Sequence, residues 1–247
     1  MPRYFLELAY KGTNYSGFQI QDNAISVQHE VEKALGIFFR ARFELTGSSR
    51  TDGGVHALQN FFHFDYEEII DSRVLYNINA ILPPDIVLNN IYPVAADAHC
   101  RFDAISREYR YYIYRVKNPF LADRAWFYPY TLDREKLKAA AALIPAHRDF
   151  TTFAKRNTQV KTFLCTIFES AWEEDDQCLI YRVKANRFLR GMVRGLVGTM
   201  VQVGRGKLSV AEFDEVLEKR DNQFADFSAP GHGLFLHQVS FTVSISE

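Results

Sequence analysis

Apolar residues in this chain alternate between helical and strand spacing, and that alternation restricts the fold more than any other feature. Residues 4–10 read as a strand. Ser26 stands as a cap before Val27, Val31, Ala34, Leu35, Phe38 and Phe39, which recur at helical spacing. Residues 43–45 and 60–66 read as strands. Asp71 caps a helix carrying Val74, Leu75, Ile78 and Ile81, which Pro83-Pro84 stops. Strands are predicted over 86–91 and 108–116. The pattern then restarts: a helix over 133–144, strands over 160–172 and 178–185 joined by an acidic turn at 173–176, and a helix over 188–203. Ser209 and Glu212 form a capping box for one more helix, and residues 234–244 close the chain as a strand. No linker, low-complexity tract or fixed-period repeat interrupts this order. The expected class is α+β: two sheet-plus-helix halves, residues 1–105 and 106–247, sharing a mainly antiparallel central sheet.

Composition removes several classes of function. At 47% apolar and 24% charged, the chain of 247 residues is neither disordered nor a coiled coil. No segment approaches the roughly 18 apolar residues of a membrane span. The start, Met1-Pro2-Arg3-Tyr4, has no apolar signal core. Three cysteines, an odd number without CxxC or Cys–His zinc spacing, fit a reducing compartment, so a cytoplasmic location is expected. A net charge of −1 excludes a uniformly basic coat but not a local basic patch.

Three features carry candidate chemistry. The polar loop Thr46-Gly47-Ser48-Ser49-Arg50-Thr51-Asp52-Gly53-Gly54-Val55-His56 lies between two predicted strands, where a rigid scaffold presents functional groups. Its glycines permit a tight turn and close approach of a ligand. The bland alternative is a surface turn whose Asp52 only binds backbone amides. Second, residues 182–207 hold seven basic side chains, Arg182, Lys184, Arg187, Arg190, Arg194, Arg205 and Lys207, and no acidic one. Such a run suits phosphate binding, and Arg187, Arg190 and Arg194 are spaced to share a helix face. Third, Tyr109, Tyr111, Tyr112 and Tyr114 alternate with Arg110 and Arg115 on a strand, where a tyrosine beside arginine can stack on a nucleobase or simply pack.

Other chemistries fit less well. Gly204-Arg205-Gly206-Lys207 lacks P-loop spacing. Ser49, Asp52 and His56 are the residue types of a hydrolase triad but lack a nucleophile elbow. His56, His63 and Asp65 are the types of a metal site, and with Asp52 they would suit a metal-dependent nuclease, which a chelator would inhibit. A non-catalytic RNA-binding protein would use the basic run and the tyrosines alone.

Residues 49–57, Ser-Arg-Thr-Asp-Gly-Gly-Val-His-Ala, resemble the G-R-T-D-A-G-V-H-A loop of the TruA family of tRNA pseudouridine synthases. Four further segments resemble that family in the same order: 10–21, 77–85, 101–111 and 184–198. The departures are Lys11 for Asp, Phe18 for Trp, Ser49 for Gly and Gly53 for Ala.

The resemblance implies an isomerase that breaks the N-glycosidic bond of uridine, turns the base and rejoins it through carbon. Nothing is oxidised or lost, so no cofactor and no metal are expected. By match, Asp52 is the essential carboxylate, attacking the base or the ribose or removing a ribose proton. Arg194 matches its basic partner, Tyr109 the tyrosine that stacks on the target base, and Arg50 the loop arginine that fills the flipped nucleotide's place. The family acts as a homodimer on uridines 38, 39 and 40 of the tRNA anticodon arm. Arg182, Lys184, Arg187 and Arg190 are the expected RNA contacts, and the acidic stretch 212–221 is expected to face away from RNA.

Overall fold

The computed structural model describes residues 1–155 and 160–242. Among these the chain is α+β, with a mainly antiparallel sheet of nine strands and five α-helices. It divides into two compact units: residues 1–105 with those from 236 on, and residues 106–235.

In the first unit, β1 (Arg3–Tyr10) pairs antiparallel with β3 (His56–Asp65) on one side and β4 (Ile86–Val94) on the other. The short β2 (Thr46–Gly47) adds to β3. In register, Leu6 lies opposite both Phe62 and Ile91. Alternation therefore brings Tyr4, Leu6, Leu8 and Tyr10 to one face with Phe62 and Phe64, all buried. Phe18 stacks between Tyr10 (5.7 Å) and Phe62 (4.5 Å), a burial worth roughly 2–3 kcal/mol. Helix α1 (Val27–Phe39) buries Val27, Val31, Ala34 and Leu35, and the Ser26 side chain accepts the His29 amide as expected. Helix α2 (Val74–Ile81) ends at Leu82, before the proline pair.

The second unit centres on β5 (Ala104–Tyr114), which pairs antiparallel with β8 (Leu179–Ala185) and parallel with β6 (Trp126–Phe127); β7 (Ile167–Glu174) completes the hairpin with β8. Tyr111 lies opposite Tyr181 in register, and both rings are fully buried. Their hydroxyls are satisfied: Tyr111 donates to Pro230 O (2.9 Å), and Tyr181 pairs with Ser170 Oγ (2.9 Å). Helix α4 (Met192–Gly204) is buried nearly all round, as its small and apolar residues require. Against it lie α3 (Arg134–Leu143) and α5 (Val210–Glu218). The capping box of α5 forms both expected bonds, Glu212 N to Ser209 Oγ and Ser209 N to Glu212 Oε2. Strand β9 (Leu234–Phe241) belongs from Leu236 on to the first unit; positions 243–244 of the expected strand lie outside the described residues.

Four expectations are corrected. Asp71 does not cap α2: the N-cap is Arg73, without a side-chain cap bond, and Asp71 Oδ1 accepts the Arg73 amide instead. Residues 43–45 form no strand, although Phe43 and Leu45 are buried. The backbone of Leu45 is satisfied by α1 side chains instead: its N–H donates to Glu32 Oε1 and its carbonyl accepts from Gln28 Nε2. The strand expected from 160 begins only at Ile167, because Phe163 O and Cys165 N are bonded to Phe150 N and Arg148 O. The helix expected from 188 begins at Met192. Gly191, at φ 76°, is left-handed and separates Phe188-Leu189 from the helix.

Candidate active site

In the first unit, the Asp52 loop is fixed by residues far from it in sequence. Ser48 N donates to Phe61 O (2.8 Å), and Asn60 Nδ2 donates to Ser49 O (2.9 Å). Asn60 Nδ2 also reaches Tyr10 Oη (3.3 Å), which shares a hydrogen bond with Thr51 Oγ1 (2.8 Å). These side chains are buried, so the network is screened from water. The segment following β1 holds the other side. Phe18 N donates to Thr51 O, Gly54 N to Tyr15 O, and Gly17 bridges to Asp52. Within the loop, Val55 N closes a turn onto Asp52 O (3.2 Å), with Gly54 at φ 77°. Asp85 joins this scaffold by accepting from Tyr15 Oη and Asn14 Nδ2. Three of the segments noted in the sequence, 10–21, 46–57 and 77–85, therefore build one substructure.

Asp52 is half-buried at the crest of this loop, beside the exposed Gly53. Arg50 is exposed; partial burial of its guanidinium, then the charge of Arg101, lowers its pKa. Two departures from the resembled pattern fit their surroundings. A Cβ at Gly53 would meet nothing closer than 3.5 Å, so glycine and alanine fit alike. Phe18 fills the space beside Gly47, where a Cβ would lie 2.3 Å from its ring.

The histidines have structural partners. His56 is buried and its Nδ1 accepts the Gly12 amide at 3.1 Å. His63 lies about 23 Å further along β3, with Nδ1 3.2 Å from Cys100 Sγ. Among the described residues no three His, Cys, Asp or Glu side chains are grouped to hold a metal ion.

In the second unit, Tyr109 lies on β5 opposite Val183, 8% exposed, with Phe188 edge-on at 5.0 Å. Arg194 sits in the first turn of α4, and its Nε donates to Ala229 O at 2.6 Å.

The basic run does not form one surface. Arg182 and Lys184 alternate on β8 with the buried Tyr181, Val183 and Ala185, so they occupy the opposite face of the strand. There Arg182 is paired with both Glu169 and Glu173, and Lys184 lies in register with Glu108 and Glu169. Arg187 and Arg190 precede α4, so the helix face expected to unite them with Arg194 does not exist. Arg205 is about 16 Å further along the helix and stacks over Tyr130 at 4.3 Å.

Sequence reasoning singled out the Asp52 loop but not Tyr10, Asn60 and Asp85 as its supports. Asn60 left a signal: an amide within an otherwise apolar strand needs a buried partner.

A family model described as tRNA pseudouridine synthase matches residues 139–242. Full-length relatives extend that match to the first unit. The chain is 45% identical to a Bacteroides thetaiotaomicron protein named tRNA pseudouridine synthase A, over 99% of this chain and 93% of that protein. It is 45% identical to the protein of that name from Bacteroides fragilis (99% and 98% covered) and 38% identical to that from Staphylococcus aureus (96% and 90%). The chain belongs to the tRNA pseudouridine synthase A family.

Proposed function

We propose that the chain forms pseudouridine at positions 38, 39 and 40 of the tRNA anticodon arm, with Asp52 as its essential carboxylate. The reaction class follows from the family: the chain is an isomerase that converts uridine in tRNA to pseudouridine. The observation that carries the assignment to Asp52 is its loop. A buried network of Tyr10, Thr51 and Asn60 fixes a turn whose crest holds the carboxylate at a partly open position. A base or nucleophile must be held in such a fixed orientation. Isomerisation conserves atoms and electrons, so it calls for no cofactor.

The remaining roles are proposed by match to the family's motifs. Arg194 is the carboxylate's cationic partner, Tyr109 stacks on the target base, and Arg50 fills the place of the flipped nucleotide. Arg187 and Arg190 contact the RNA backbone. Arg182 and Lys184 contribute least, because carboxylates already face them. A homodimer in the cytoplasm completes the reading; no described helix is long and apolar enough to cross a membrane.

The test is tritium release from tRNA labelled at carbon 5 of uridine, followed by mapping of the modified positions. Release with intact RNA, unaffected by chelator, supports the proposal; chelator-sensitive cleavage revives a nuclease and overturns it.

Two outcomes follow for the binding groups. Tyr109→Leu should lower kcat/KM roughly tenfold to a hundredfold, as expected for loss of base stacking. Tyr112→Leu, which loses a ring contact with Phe235 at 5.2 Å, should cost far less. Equal losses in steady-state assays would reduce both tyrosines to packing. Arg190→Glu should flatten the dependence of tRNA affinity on salt by about one unit of slope or more. Arg182→Gln should leave that slope unchanged in the same titration.

A further inference from the structure

Residues 99–103 form a tight turn that presents an aromatic ring to solvent. His99 N donates to Asp103 Oδ2 (2.7 Å), Phe102 N and Asp103 N both donate to His99 O, and Arg101 N donates to His99 Nδ1 (3.2 Å). The turn is anchored from within. Cys100, fully buried, has its Sγ 3.2 Å from both Thr46 O and His63 Nδ1, and the His63 ring meets that of His99 at 4.5 Å. Burial first, then the charges of His99 and Arg3, push the His63 pKa down to about 4, so this anchor is neutral at physiological pH. Thr46 opens β2, which runs directly into the Asp52 loop. The turn and that loop are therefore held by one strand pair within the first unit.

The outer side of the turn is built differently. Phe102 is 74% exposed. The His99 ring lies 4.2 Å from it and the Arg101 guanidinium 5.8 Å from its centroid. An exposed aromatic ring beside an arginine, on an anchored turn, is the composition that stacks an unpaired base and neutralises its phosphate.

We infer that Phe102, with Arg101, is a stacking site for an unpaired nucleotide of the tRNA substrate, separate from the place taken by the target uridine. The base lies on Phe102 and its phosphate on the Arg101 guanidinium. This site rests on the proposed tRNA reading and adds a contact that holds the RNA beside the Asp52 loop.

The test compares wild type with Phe102→Ala, Phe102→Leu and Phe102→Trp, using unlabelled tRNA for binding and carbon-5-labelled tRNA for turnover. Phe102→Ala should raise Kd and KM about tenfold, a typical stacking loss. Its kcat and its urea unfolding midpoint should stay at wild-type values, since the ring is exposed. Phe102→Leu should not restore affinity. Phe102→Trp should, and tRNA should quench its added emission relative to wild type, which carries the other two tryptophans. Wild-type affinity in Phe102→Ala, or added emission in Phe102→Trp that tRNA leaves unquenched, overturns the stacking site while leaving the enzyme's activity standing. Recovery by Phe102→Leu overturns it in favour of an apolar protein contact. A wild type that forms no pseudouridine in any tRNA overturns the underlying reading, and that failure shows before any variant is measured.

Discussion

Asp52→Ala should abolish turnover, by roughly 10⁴-fold or more in kcat, and still bind tRNA and fold as wild type does. The turn around Asp52 is made by backbone groups: Val55 N onto Asp52 O, Phe18 N onto Thr51 O, and Gly54 N onto Tyr15 O. The side-chain network that braces it includes Tyr10, Thr51 and Asn60. Truncating residue 52 leaves these backbone and side-chain bonds in place. Affinity should persist because phosphate contacts carry most of it. The measurement is single-turnover tritium release at saturating enzyme, with a parallel binding titration. Turnover within tenfold of wild type would remove Asp52 from the chemistry. Loss of binding together with turnover would make it a positioning residue instead. Asp52→Asn separates charge from size: it keeps the shape and should be as inactive as alanine, because either a nucleophile or a base requires the ionised carboxylate.

The sequence was legible where signals are local. Ser26 before the apolar stripe of α1, Ser209 with Glu212 at α5, and the proline pair after α2 each act within one helical turn, and each ends or starts its helix as expected. Legibility failed where a distant partner decides. Phe43 and Leu45 have strand-like side chains, but Gln28 and Glu32 take the Leu45 backbone groups before a ladder can. Helical periodicity runs through Phe188 and Leu189, yet Gly191 adopts a conformation no helix contains. The basic run shows the same limit in electrostatics. Contiguity in sequence suggested one positive surface, but strand alternation turned Arg182 and Lys184 toward carboxylates contributed by other strands. The Asp52 loop could be singled out because its glycines and polar residues cluster in sequence. Its braces, Tyr10 and Asn60, lie 41 and 11 residues from the groups they hold, Thr51 and Ser49. Pairing of β1 with β3 brings Tyr10 there, and pairing of β2 with β3 brings Ser49 to Asn60.

Gly12→Ala should destabilise the first unit by about 3 kcal/mol or more and lower turnover at least a hundredfold. The constraint is space. A Cβ on Gly12 would lie 1.9 Å from Val55 O and 2.6 Å from Val55 C. Both are backbone atoms, so no rotamer change relieves the clash, and residue 12 or the start of β3 must move. Neither can move alone. Gly12 N donates to His56 Nδ1, Gly12 O accepts from Tyr15 N, and Val55 N closes the turn onto Asp52 O. Displacing Val55 therefore displaces the carboxylate, and about 1 Å of misplacement costs on the order of 10²-fold in rate. Gly53→Ala is the matched control in the same loop. Its Cβ would meet only ordinary contacts at 3.5 Å or more, so its stability should stay within about 0.5 kcal/mol of wild type and its turnover near normal. Urea unfolding midpoints and single-turnover rates for the two variants decide the matter. If Gly12→Ala matches Gly53→Ala in both, close packing of residue 12 on Val55 does not position Asp52. If Gly12→Ala loses stability while keeping its rate, the contact holds the fold and the carboxylate is positioned by the Tyr10–Thr51–Asn60 network alone.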